Sequence, residues 1–228
     1  MRIIFVRHGD PDYTHDCLTE KGHIQAAAAA ERLKDMGITE IYASTKGRAM
    51  ETAGYTAEKL GLPINKLEFM REIGWGTENP HLSPYKNGHP WDCADKLFRE
   101  GFDLTTPAWR EHPYFKTGCL LERLEIVENG FSEFLKGFGY RFTEDGRIFC
   151  EKECDKTIAI FSHGGAGGAA IAKVLRQEFP YSILFVQMYL ASITIIDLCA
   201  RDGEYVLPHV NLMNDCEHTK ETTTRFDN

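Results

Sequence analysis

The sequence predicts an α/β protein: a three-layer α/β/α sandwich with a mostly parallel central sheet and an α-rich insertion or cap. Three observations carry that prediction. Short apolar runs rich in Ile, Val and Phe alternate with longer stretches of helical periodicity, the pattern of a sheet covered on both faces. Three such runs end in polar or basic residues: Ile3 to Val6 before Arg7-His8-Gly9, Ile38 to Ala43 before Ser44 to Arg48, and Thr157 to Phe161 before Ser162-His163-Gly164. From about residue 77 to 155 prolines and aromatics break the alternation. With 228 residues, 43% of them hydrophobic, the chain reads as one domain over 1–213 with an insertion at about 77–155 and a polar tail at 214–228.

The first run fits a pleated, buried strand. It delivers Arg7 and His8 to the carboxyl edge of the sheet, where ligands bind in open α/β folds. Arginine holds phosphate by its planar fork of donors, and a histidine there can act as nucleophile, acid or base near neutral pH. A polar loop follows to Asp16. Thr19 is set to cap a helix, with Glu20 in its first turn. Alanines from Gln25 to Leu33 favour that helix; Ile24, Ala28 and Leu33 are expected on its inner face, and Gly37 is a stop. His23 reads as a surface histidine.

Ile38 to Ala43 is the second strand, and Gly47 to Leu60 the second helix, with Ala49, Met50, Ala53 and Ala57 on an apolar face. A helix N-terminus suits an anion. Arg48 in that first turn opposes the helix dipole, which favours a functional reason for it. Ser44 is placed either to bind phosphate or to cap the helix. From Leu67 a strand-like start leads to Glu72, then to glycines around Trp75. A carboxylate beside a phosphate has its ionised form opposed, so its pKa moves up toward general-acid use. Glu68 and Glu78 are local competitors for that role.

Inside the middle block, helices are expected near Trp91–Gly101 and Leu120–Leu135, and a hairpin from Tyr140 to Glu153 turning at Asp145-Gly146. After the strand at Thr157 come a helix over Ala166 to Arg176 and strands at Ile183 to Tyr189, Ser192 to Leu198 and Glu204 to Val210. From Asn214 onward the chain reads as loose.

A net charge of −8 leaves no electrostatic footprint for nucleic acid. An anionic substrate must be drawn in by a local basic cluster. No stretch has the length of a membrane-spanning helix, and no signal pattern opens the chain. The 7 cysteines fit reduced thiols in the cytoplasm, and Cys150 and Cys154 lack a partner pair at zinc spacing. The expectation is therefore a cytoplasmic protein with a small phosphorylated substrate, no nucleic-acid or membrane partner, no metal and no cofactor. The C-terminal strands are candidate surfaces for a homodimer.

Taken together the motifs resemble the histidine phosphatases, the phosphoglycerate mutase-like superfamily. The matching pieces, in the family's order, are Val6-Arg7-His8-Gly9, Leu18 to Gly22 with Gln25-Ala26, Ser44 to Arg48 with Glu51-Thr52-Ala53, Arg71-Glu72 with Gly76, and Phe161-Ser162-His163-Gly164. The resemblance covers the first third of the chain and the region after about residue 157, not the middle block. It implies that His8 is the nucleophile and becomes a phosphohistidine. It also implies that Arg7, Arg48 and His163 hold the phosphoryl oxygens, and that Glu72 protonates the leaving group and then activates water. Gly9, Thr14 and Gly164 complete the expected phosphate site, with Thr14 standing in for the asparagine of a longer family loop. The mutases' basic and phenolic run beside the acid is replaced here by Ile73-Gly74-Trp75-Gly76, which favours a phosphatase over a mutase. A non-catalytic phospho-ligand binder on the same fold is the alternative of another class.

Overall fold

The computed structural model describes residues 1–75 and 89–219. In chain order its elements are β1 (Arg2–Arg7), β2 (Pro11–Asp12), β3 (Cys17–Leu18), α1 (Glu20–Leu33), β4 (Glu40–Ser44), α2 (Gly47–Leu60), β5 (Ile64–Leu67), α3 (Pro90–Arg99), α4 (Pro113–Lys116), α5 (Leu120–Lys136), β6 (Tyr140–Phe142), β7 (Ile148–Cys150), β8 (Thr157–Ser162), α6 (Gly164–Val174), α7 (Phe179–Phe185), β9 (Ile193–Cys199) and β10 (Leu207–Asp215).

A six-stranded sheet runs in the order β10-β9-β1-β8-β4-β5. Strands β1, β8, β4 and β5 are parallel, and β9 joins β1 antiparallel. The central strands are covered on both faces, which is why β1 and β8 read as unbroken apolar runs. Alternate residues serve opposite layers. Ile3, Phe5, Ile158 and Ile160 pack with Leu124, Phe131 and Ile171 of α5 and α6. Ile4, Val6, Ala159 and Phe161 pack with Leu33, Ala53 and Ala57 of α1 and α2. Each fully buried Ile or Phe stabilises the fold by roughly 1.5–3 kcal/mol.

Helix α1 is capped by Thr19, whose hydroxyl accepts the Gly22 N–H at 3.1 Å. Its inner face is Gly22, Gln25, Ala26, Ala29, Ala30 and Leu33. Ile24, expected inside, is 72% exposed. Close backbone approach sets the helix's phase: a Cβ on Gly22 would stand 2.2 Å from the Asp10 carbonyl oxygen.

Helices α3 and α5 and the β6–β7 hairpin form where the sequence places them. Trp109 and Phe115 of the middle block are fully buried in the same core as Ile3 and Phe5. The block thus supplies much of the second helical layer.

Three further expectations are corrected. The run from Ile183 is not a strand: Phe179–Phe185 is helix α7, opened by Pro180, and Ile183 is buried. A short apolar run does not distinguish helix from strand, and proline in a first turn favours helix. The last strand runs to Asp215, with irregularities after Val210 and Leu212 that interrupt the alternation a strand shows in sequence. Asn214, expected to begin a loose tail, takes φ 53° and accepts the Tyr189 N–H on its side-chain oxygen at 2.7 Å. The rest of the polar tail, residues 220–228, lies outside the described residues, as do Glu78 and Gly76.

Candidate active site

Because β1, β4 and β8 are parallel, their carboxyl ends meet at one edge. Arg7 pairs with Ser162 across the sheet, and the His8 N–H donates to the Ser162 carbonyl at 3.0 Å. This register sets His8 beside His163, with ring centroids 5.1 Å apart. Both rings are buried, at 1% and 0% exposure.

His8 Nδ1 lies 2.7 Å from the Gly9 carbonyl oxygen. A carbonyl only accepts, so Nδ1 carries the proton. Nε2 is left with its lone pair and accepts from Arg48 Nε at 3.2 Å. Burial, then the charge of Arg7, holds the His8 pKa down to about 3. The imidazole is neutral at pH 7, with Nε2 unprotonated. His163 is also held well below its usual range, by burial and then by His8 and the two arginines. Its Nε2 is 2.8 Å from Ser44 Oγ.

Arg48 stands in the first turn of α2 and is 6% exposed. Its Nη1 donates to Asp16 Oδ1 at 2.5 Å, and Asp16 Oδ2 accepts the Gly47 N–H at 3.1 Å. Asp16 adopts φ 53°, and a Cβ on Gly47 would stand 2.0 Å from its carbonyl oxygen. The loop after β1 therefore packs tightly on the start of α2. Thr52 ties the same parts together: its hydroxyl accepts the Gly9 N–H at 3.1 Å and donates to the Arg48 carbonyl at 2.7 Å. Glu51 accepts the Leu18 N–H at 2.6 Å, and Gln25 accepts the Asp10 N–H at 2.7 Å. These motif residues brace the loop that carries the cluster.

Arg7 Nη1 donates to the Met188 carbonyl at 2.5 Å, and its buried Nε has no partner among the described residues. Glu72 reaches the same edge from the segment after β5. Its Oε1 accepts the N–H groups of Ile73 at 2.9 Å and of Gly165 and Ala166 at 3.1 Å. The carboxylate thus sits on the N-terminus of α6. Burial pushes its pKa up; Arg7 and the three N–H groups pull the other way without cancelling the rise. Only glycine fits at 165, where a Cβ would lie 2.3 Å from Ile73 Cγ1 and 2.6 Å from Glu72 Oε1. Glu68 is engaged elsewhere: it accepts from Thr45 at 2.6 Å and Arg71 at 2.8 Å, and these bonds lower its pKa.

The structure thus brings together Arg7, His8, Gly9, Arg48, Glu72, His163 and Gly164. A Cβ on Gly164 would touch the Arg7 guanidinium carbon at 3.5 Å. Thr14 is exposed in a turn where its N–H donates to Asp12 at 2.8 Å, and it is Asp16 that reaches Arg48. Sequence reasoning missed Asp16; its one signal was a carboxylate in the loop facing the arginine-bearing helix. Two buried neutral histidines, two arginines and a carboxyl of raised pKa form a set suited to binding and transferring a phosphoryl group.

A family model described as the histidine phosphatase superfamily, branch 1, matches residues 3–101. The fold agrees over most of the chain: a mutant phosphoserine phosphatase from Entamoeba histolytica, solved with phosphoserine, superposes with a TM-score of 0.64, covering 95% of this chain and 98% of that one at 23% identity. Over residues 3–101 the chain is thus similar to the histidine phosphatase superfamily. Among curated relatives, the mitochondrial serine/threonine-protein phosphatase Pgam5 of Drosophila virilis is 34% identical over 107 residues, 43% of this chain and 36% of that protein. Fructose-2,6-bisphosphatase TIGAR B of Danio rerio is 28% identical over 161 residues, 63% of this chain and 55% of that protein. The match thus spans from about a third to somewhat over half the length of these two relatives. No helix among the described residues is long and apolar enough to cross a membrane.

Proposed function

We propose that this protein is a metal-independent phosphomonoester hydrolase that works through a phosphohistidine on His8 and acts on a small phosphorylated metabolite in the cytoplasm. The observation that carries this reading is the state of His8: its proton is held on Nδ1 by the Gly9 carbonyl, and its Nε2 lone pair faces Arg48.

Nε2 attacks phosphorus in line with the ester oxygen. The N–P bond forms, the P–O bond breaks, and the protonated Glu72 carboxyl gives its proton to the leaving alkoxide. Water then attacks the phosphohistidine while the Glu72 carboxylate takes its proton. The N–P bond breaks, and inorganic phosphate leaves with the Nε2 lone pair restored. Arg7, Arg48 and His163 hold the phosphoryl oxygens, and the two arginines supply the positive charge this transfer needs.

The position of Glu72 supports catalysis over simple binding, since a phosphate receptor has no use for a buried carboxyl of raised pKa. Water is favoured over a second phosphoglycerate as acceptor because the run directly after Glu72, Ile73-Gly74-Trp75-Gly76, offers no basic or phenolic group. Incubation with p-nitrophenyl phosphate in EDTA, beside a His8→Ala control and a panel of phosphomonoesters, tests the reading. Turnover in EDTA that vanishes in His8→Ala is expected. Activity surviving that substitution, or isomerisation of 3-phosphoglycerate to 2-phosphoglycerate, would overturn it.

A further inference from the structure

We propose that Ser44 is a positioning residue: its hydroxyl donates to His163 Nε2, fixes that ring as the Nδ1–H tautomer, and reserves one N–H donor for the phosphoryl group. The phosphoryl half of this proposal rests on the hydrolase reading; the tautomer does not.

Ser44 ends β4 and is completely buried. Its oxygen has two described neighbours. It accepts the Lys46 N–H at 3.3 Å and lies 2.8 Å from His163 Nε2. A hydroxyl has a single hydrogen, and a buried O–H left without an acceptor is costly. Lys46 N–H is a donor, so the acceptor open to the serine hydrogen is Nε2.

The reverse arrangement, with Nε2–H donating to serine, orphans the hydroxyl hydrogen. It also leaves a bare Nδ1 lone pair beside a site built for anionic oxygens. With Ser44 donating, Nδ1 holds the proton of the neutral ring. That nitrogen is buried and has no partner among the described residues. It belongs to a ring 5.1 Å from His8, at the end of the strand that lies between β1, which carries Arg7, and β4, which leads to Arg48 in α2. Its N–H is therefore a donor kept free for the transferring group, where its bond strengthens as charge develops.

Ser44 is thereby released from the two roles open to it in sequence. Its hydrogen is spent on His163 and is not available to a phosphate oxygen. It does not cap α2, whose N-cap residue is Lys46 with no side-chain cap bond. The two histidines reach the same tautomer by different means, one through the Gly9 carbonyl and the other through a serine hydroxyl.

The test is long-range proton–nitrogen NMR on protein labelled with ¹⁵N-histidine, with and without inorganic phosphate. Wild-type His163 is expected to show a protonated Nδ1 and a bare Nε2, and phosphate should shift the Nδ1 proton. In Ser44→Ala the His163 tautomers should mix while the His8 signals keep their pattern, which shows that the site is still folded. With the best substrate, kcat should fall about tenfold, the size of one lost hydrogen bond, while KM changes less than twofold. A wild-type His163 protonated on Nε2 overturns the proposal, as does a Ser44→Ala protein with unchanged tautomer and kcat. The wild-type spectrum decides the tautomer by itself if the variant does not fold. An inactive protein with the expected spectrum would sink the hydrolase reading and leave the tautomer standing.

Discussion

Two junctions in this protein share a local sequence device and end in different chemistry. At the end of β1 and at the end of β8, an apolar strand gives way to a histidine and a glycine. After His163 the chain enters α6 at once, and the first N–H groups of that helix are taken by Glu72. After His8 no helix starts. The chain turns at Gly9, runs through the short β2–β3 pair and sends Asp16 back to Arg48. One junction is closed by an acid, whereas the other leaves a histidine nitrogen facing a cation. What fills the space beyond the glycine, rather than the histidine motif itself, separates the proposed nucleophile from the proposed phosphate holder.

The largest effects should come from exchanging these roles. His8→Ala should lower kcat/KM by at least about 10⁴-fold, because no other group can form the intermediate. His163→Ala should cost about 10²–10³-fold, the scale of one lost charge-stabilising donor. Equal losses in steady-state assays would erase the distinction between the junctions.

The next effect concerns the acid. Glu72→Gln should slow an alkyl phosphate by about 10²–10³-fold, and p-nitrophenyl phosphate less in its first step, since that leaving group needs no proton. The Glu72 pKa is raised, so the protonated form persists above the usual carboxyl range and is lost as pH rises through it. Wild-type turnover of the alkyl ester should therefore decline on the alkaline side. His8 stays neutral down to about pH 3 and should not impose an acid limb near 6.5. A pH–rate profile reads both limbs.

Stability has the matching sign. The folded pKa of His8 lies below its unfolded value, so its contribution is fully present above about pH 6.5 and is lost as pH falls toward 3. His163 acts in the same direction. Urea midpoints should drop across that window, and less steeply in His8→Ala.

Smaller effects sharpen the contrast in the loop after β1. Asp16→Ala should lower kcat/KM about tenfold by freeing the Arg48 guanidinium to rotate. Thr14→Ala should change it less than twofold, because that side chain is exposed. A loss at Thr14 matching that at Asp16 would mean that the loop closes differently over substrate.

The parallel strands and the four basic residues at their ends were legible because they are local: an apolar run, then charge, then glycine. Helix α2 was readable over its full length for the same reason. What escaped depends on distant partners. Ile24 has the right spacing for an inner face, but backbone approach at Gly22 sets the phase. The segment at Ile183 is apolar in either conformation, and Pro180 together with burial against α6 makes it helical. Asp16 and Ser44 are small polar residues whose roles appear only when Arg48 and His163 stand beside them.

The central claim is that the phosphoryl group rests on His8. The direct measurement is alkaline rapid quench of Glu72→Gln with p-nitrophenyl phosphate, followed by peptide mass spectrometry. This variant is phosphorylated by a good leaving group but lacks the base for hydrolysis. The account predicts a burst approaching one p-nitrophenol per chain, with a phosphohistidine on the peptide containing His8. A burst with the phosphoryl group on another residue, or steady turnover with no labelled histidine, would contradict it.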